Sequence, residues 1–233
     1  MVFSTFLLAH LSSPYLAVVK GLDGANRWLI LGRAWYLPLE PVVVWGALGL
    51  HLVSGLSKRL LSIRLKRPSP DNELAVRDPE ADLKRKRGLS RPLRVSWSLH
   101  AMTGYILIPL ISHHAWTTRV VPRQLDMTHL VEYSMVSYGL RKRPYAYVQI
   151  PLYTLLISAL FFHVSGGLRK ILSGGRKSAT IGVERFRLGL AAALGGGGLL
   201  GIGLTRIVLD GAKETPTWLL KKYEQVYLKA WTG

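Results

Sequence analysis

No cysteine occurs among the 233 residues, which excludes a disulfide framework, a thiolate zinc site and a thiol nucleophile. Acidic residues are scarce: 13 Asp and Glu stand against 31 Lys and Arg, leaving a net charge of +18. The carboxylates avoid the apolar stretches. Glu40 stands at a helix entrance, and Asp23, Asp126 and Glu132 fall in connecting segments. No carboxylate pair is therefore available in an apolar environment for acid–base hydrolysis, and an enzyme is not expected. A cleavable secretory signal is not expected either, because the apolar run starts at Met1 without a basic flank or a small-residue cleavage site.

The apolar runs themselves are plentiful. Hydrophobic residues make up 49% of the chain, and the Lys and Arg residues collect between long uncharged stretches. A charge of this size could serve nucleic acid. Here the basic residues flank segments suited only to lipid, so anionic headgroups of a bilayer are the expected partner and nucleic acid is not. A transmembrane helix needs about 20 mostly apolar residues to cross about 30 Å of hydrocarbon. The spacing predicts an all-α membrane protein of about five such helices, near residues 1–19, 38–56, 95–118, 146–168 and 188–209. Together they form a transmembrane bundle over residues 1–209, interrupted by a basic polar loop at 57–94. The connections on that loop's side carry 18 Lys and Arg against 8 on the other, which places the loop's side in the cytosol or its equivalent. Arg206 lies close enough to the end of the fifth run to snorkel.

Two small features complete the chain. Gly197 and Gly201 form a GxxxG pair in the fifth run, a pattern that permits close helix contact. Residues 215–231 read as an amphipathic C-terminal helix, with Thr215 as its cap and Pro216 in the first position. Leu219, Tyr223, Val226, Tyr227 and Ala230 share one face. That face suits either the membrane interface or packing on the helix ends.

The most informative pattern is a duplication. His51-Leu-Val-Ser-Gly55-Leu56-Ser-Lys58 aligns without gaps on His163-Val-Ser-Gly-Gly167-Leu168-Arg-Lys170. Upstream, Arg33 to Pro41 parallels Arg143 to Pro151, and Leu7-Leu8-Ala9-His10 parallels Pro109-Leu110-Ile111-Ser112-His113-His114. Helices one and two (repeat unit 1–60) thus recur as helices three and four (unit 96–172), in parallel rather than inverted orientation. Since Met1 aligns near Tyr105, inside the third helix, the repeat predicts further residues ahead of Met1.

Every helix of the duplication carries a histidine. At about 1.5 Å per residue, His51 and His163 lie about 9–10 Å from one end, while His114 and His10 lie about 8 and about 15 Å from the other. Two imidazoles facing each other can ligate a haem iron on both sides, so His51 with His163 and His10 with His114 are candidate ligands of b-type haem. Gly55 and Gly167, one turn beyond their histidines, would make room for a flat macrocycle. His113 is adjacent to His114, and His100 is a second polar group on the same helix. Interhelical hydrogen bonding without a cofactor is the other reading of all these histidines. His129 falls in a connection and is expected to be solvated.

These residues resemble known families. The stretch His51 to Lys58 is similar to the HxxxG segment of the membrane-anchor subunits of succinate dehydrogenase and fumarate reductase, whose fold binds b-type haem through paired histidines. The order Arg33-Ala-Trp-Tyr-Leu-Pro-Leu-Glu-Pro41, His51 to Gly55, Ser98-Leu-His-Ala-Met-Thr-Gly-Tyr105, His114-Ala-Trp-Thr-Thr-Arg-Val-Val-Pro122 and Phe162-His163 resembles the fungal mitochondrial adapter family that recruits the bridge-like vacuolar-sorting lipid-transfer protein. That resemblance spans most of residues 1–170. It implies a multi-pass outer mitochondrial membrane protein acting in lipid homeostasis and at organelle contact sites. It also implies a short proline recruitment motif in a cytosolic N-terminal extension, which the residues from Met1 onward do not contain; Pro68 and Pro70 in the basic loop have the Pro-x-Pro form and are the candidate here for that role. The alternative is a haem subunit passing electrons to quinone or another haem.

Overall fold

The computed structural model describes residues 2–65, 98–172 and 182–232, and Pro68, Pro70 and most of the basic loop lie outside them. Every regular element among the described residues is helical. The chain divides into two compact units, Met1–Phe6 with Tyr36–Trp97, and Leu7–Trp35 with Ser98–Gly233. Among the described residues one helix, Ala146–Leu168, is long and apolar enough by itself to cross a membrane, and the five expected spans are not otherwise distinguished.

Helix α1 (Val2–Tyr36) breaks at Gly21, where φ is 65° and ψ is −161°. An L side chain rarely adopts that backbone, and a Cβ there would lie 2.5 Å from the Asp210 carboxylate. The two arms, 2–20 and 22–36, double back on each other: Trp28 Nε1 donates to Ser12 Oγ at 2.5 Å, across sixteen residues of sequence. Residues 20–37, expected as a connection, are therefore helical over most of their length. In the first unit the rings of Phe6 and Tyr36 meet edge to face. A π-helical turn at Pro41–Gly46 leads into α2 (Ala47–Leu65), so residues 57–65 continue the helix rather than open the loop.

In the second unit, α3 (Leu99–Ala115) is capped by Ser98, whose side chain accepts from Ala101 N. It extends through a π-helical stretch, Trp116–Val120, into the short α4 (Val121–Gln124). Then follow α5 (Tyr133–Arg141), α6 (Ala146–Leu172), α7 (Gly182–Glu214) and α8 (Thr217–Thr232). Glycine sets the approach of α7. A Cβ on Gly203 would lie 2.0 Å from the Pro14 carbonyl oxygen, and one on Gly196 would lie 2.4 Å from Phe161. A Cβ on Gly197 would only reach ordinary contact with Ile157 and Phe161, and Gly201 faces open space, so close contact uses Gly196 and Gly203 rather than the Gly197–Gly201 pair.

Helix α5 corrects the sequence reading most sharply. It lies within what reads as a polar connection, yet Tyr133 to Gly139 are all buried. One side of α5 (Tyr133, Val136) joins Ala17, Leu22, Ala25, Leu29 and Ile207 in a core. Its other side (Met135, Tyr138) joins Val121, Tyr145, Leu219, Tyr223, Val226 and Tyr227 in a second core. Helix α8 packs on that second core through the face its spacing marks, with Ala230 partly buried beside it. Thr215 does not cap α8: its hydroxyl is buried with no hydrogen-bond partner among the described residues, and the Pro216 carbonyl accepts from Leu219 N and Leu220 N instead.

Candidate functional site

Helices α3 and α6 run antiparallel, and five histidines lie along their seam or beside it. Near one end, His100 and His163 stack at 4.1 Å between ring centroids with 17° between planes. The contact is reciprocal. His100 Nδ1 donates to the His163 carbonyl at 2.8 Å, and His163 Nδ1 donates to the His100 carbonyl at 2.9 Å. A carbonyl only accepts, so both rings carry their proton on Nδ1. Each ring also lies against glycine on the other helix: a Cβ on Gly104 would be 2.9 Å from His163, and one on Gly167 would be 3.2 Å from His100. Two rings in van der Waals contact leave no place for an iron between them. The expected iron-bridged pairing of His163 with His51 is therefore replaced, on the His163 side, by direct contact with His100. Gly167 makes room for an imidazole there, not for a macrocycle. The missed signal is a third HxxxG, His100 to Gly104.

Toward the other end of the seam the geometry differs. His10, on the first arm of α1, and His114, on α3, have ring centroids 6.0 Å apart and planes 68° apart. Two metal–nitrogen bonds of about 2 Å each, plus the distance from each ring nitrogen to its ring centre, come to roughly 6 Å. The separation alone is that of two imidazoles on one iron, but the space beside His114 is about 10 Å³ and offers no slot for a macrocycle, so the residues as they stand do not fit a haem. Arg33 lies within electrostatic reach of His10. No group of three or more His, Asp or Glu side chains suited to a metal occurs among the described residues.

Two residues on α6 separate the adjacent histidines. Gln149 is almost fully buried and its amide donates to His113 Nε2 at 3.3 Å. One turn later, the Tyr153 hydroxyl lies 3.4 Å from His114 Nδ1, with its ring edge-on at 5.8 Å. The space among these side chains, bounded by Leu110, Leu152 and Leu156, is about 10 Å³, the size of one water molecule. His113 is thereby held by Gln149, and His114 is the one that meets His10. Neither Gln149 nor Tyr153 stands out in sequence, because a single polar residue in an apolar run gives no period of its own.

His51 and Gly55 belong to the first unit, where His51 is exposed and a Cβ added at Gly55 would meet nothing within 4 Å. His129 is exposed. The strongest titration effects outside the apolar helices belong to the tyrosines in the core where α8 packs. Burial, with Glu224 and Tyr145 adding to it, pushes Tyr138 up to about 12, and burial raises Tyr145, Tyr223 and Tyr227 as well. Comparison of the chain with known protein families, curated proteins and solved structures finds no match.

Proposed function

We propose that this chain is a multi-pass adapter of the outer mitochondrial membrane that recruits a lipid-transfer protein and acts in lipid homeostasis at organelle contacts. The five spans are residues 1–19, 38–56, 95–118, 146–168 and 188–209. The carrying observation is where the family-like segments fall. Ser98 caps α3, His100 bolts α3 to α6, Trp116 Nε1 donates to the Ala230 carbonyl at 3.3 Å, and Arg33 donates to the Val131 carbonyl. Pro122 is fully buried. These shared residues act as joints within the second unit, which suits a scaffold that presents its loops to a partner. The test is the cellular location of a tagged lipid-transfer protein. Recruitment is expected to fail when residues 66–94 are replaced by a neutral linker, or when Pro68 and Pro70 become Ala. Recruitment that survives loss of this loop and of any sequence preceding Met1 overturns the reading.

A second reading is supported by the His10–His114 pair. Its separation of 6.0 Å is that of two imidazoles on one iron, and the helices would have to part to admit b-type haem, held either as a structural element of the adapter or as an electron carrier to quinone or another haem. When bound, haem would supply a one-electron couple at that depth. The purified full chain, oxidised and then reduced with dithionite, should show a Soret band with sharp reduced α and β bands that His10→Ala and His114→Ala remove. A featureless visible spectrum from folded protein sinks this reading and leaves the adapter standing.

A further inference from the structure

We propose that the outer face of α8 is a docking surface for a bilayer of anionic phospholipid, its lysines on the headgroup phosphates and Trp218 at the boundary. The proposal stands apart from the adapter and haem readings, since it needs neither a recruited protein nor a cofactor. Residues at i, i+3, i+4, i+7 and i+11 share one side of a helix. On α8 that series is Trp218, Lys221, Lys222, Gln225 and Lys229, all exposed, with exposed Leu228 beside them. The opposite side, with Leu219, Tyr223, Val226 and Tyr227, is sunk in the core. The helix is thus held by its apolar face, and the side left to meet a partner is the basic one.

Charge and shape select the occupant. The one carboxylate of α8, Glu224, acts on Tyr138 and Tyr145, and no carboxylate pairs with the three lysines among the described residues. Lysine binds phosphate as a point charge on a flexible stem and needs no preformed socket. Trp218 and Leu228 are 59% and 50% exposed, which a side meant only for water does not require. An indole, with an apolar body and an N–H tip, suits the headgroup boundary. The outer side of a single helix is convex, so it offers a peptide no groove but can lie on a plane.

Near an anionic surface each lysine is worth about fivefold in partition, so three come to on the order of a hundredfold. The experiment uses the full chain with Gln225→Cys as its only cysteine, labelled with an environment-sensitive fluorophore. It is reconstituted into vesicles of phosphatidylcholine alone or of phosphatidylcholine with phosphatidylglycerol. The emission should shift to the blue and be quenched by brominated lipid in the mixed vesicles only. Raising salt from about 0.1 to about 1 M shortens the screening length from about 10 to about 3 Å and should reverse much of the shift. Lys221→Gln, Lys222→Gln and Lys229→Gln together should lower the ratio of bound to free probe by on the order of a hundredfold. Near-ultraviolet circular dichroism of the tyrosine core should stay as in the wild type, because these side chains are exposed. Equal emission in both kinds of vesicle, or a shift that survives the triple substitution with the core intact, overturns the proposal. A probe that responds to an acidic polyglutamate peptide but not to phosphatidylglycerol overturns it as well, and assigns the face to a protein partner.

Discussion

Gly203 and Gly201 stand two residues apart on α7 with opposite surroundings. A Cβ on Gly203 would lie 2.0 Å from the Pro14 carbonyl oxygen and 3.0 Å from its carbon, and backbone cannot step aside as a side chain can. Gly203→Ala is expected to destabilise the protein by about 1–3 kcal/mol, the usual cost of overpacking. A Cβ on Gly201 would meet nothing within 4 Å, so Gly201→Ala should leave stability unchanged or raise it through helix propensity. Thermal unfolding in one detergent, read by circular dichroism, checks both; equal losses would mean that α7 approaches α1 through a different face. The histidine bolt makes a similar residue-scale claim. His100→Ala and His163→Ala should couple by roughly 0.6–1.7 kcal/mol in a double-mutant cycle, the range for polar contacts between membrane helices. Strict additivity would show that the reciprocal bonds contribute nothing.

At the scale of elements, helix ends in the second unit are finished by side chains from other helices. Arg206 donates to the Val18 carbonyl at 3.0 Å, and Asp210 accepts from Leu22 N at 3.1 Å, so one turn of α7 serves both helix ends created at Gly21. The charges are placed correctly for the helix dipoles, cation at a C-terminus and anion at an N-terminus. Asn26 likewise accepts from Tyr133 N at 2.9 Å and so caps α5, whose own preceding residue Glu132 offers no side-chain cap. Asn26→Ala should cost about 1 kcal/mol and increase hydrogen exchange at Tyr133 before the rest of α5. An exchange pattern identical to wild type would count against this cap. The docking of α8 carries a pH signature. Its tyrosines have folded pKa values raised by burial, so below about pH 10 both folded and unfolded states keep their protons and nothing is lost. As pH climbs from there toward the value of about 12 for Tyr138, the unfolded state releases protons that the folded state holds, and stability falls. Tyrosinate absorbance should therefore rise together with loss of α8 packing; ionisation near pH 10 with α8 intact would contradict it.

At the scale of the whole molecule, the proposed five spans put the loop that follows α2 and the tail at 215–231 on opposite faces of the membrane. Because the chain has no cysteine, single replacements report this cleanly. Ser69→Cys and Lys229→Cys should react with an impermeant maleimide from opposite sides of sealed mitochondria or vesicles. Labelling from one side alone would require an even number of crossings.

Periodicity and composition by themselves determined the helical class, the apolar stretch that becomes α6, and the face by which α8 packs, because each depends on residues near in sequence. They also marked His10, His114 and His163 as unusual polar groups in apolar runs. What they could not decide was which histidine meets which. That is settled by the antiparallel register of α3 on α6, which sets His163 against His100 and Tyr153 against His114. The reversal at Gly21 lay beyond local reading too, since its stability depends on Arg206 and Asp210 nearly two hundred residues away. The burial of α5 has the same origin. Nine residues are too few to form an apolar run, and only the packing of α1, α7 and α8 around Tyr133–Arg141 makes that short helix part of both cores.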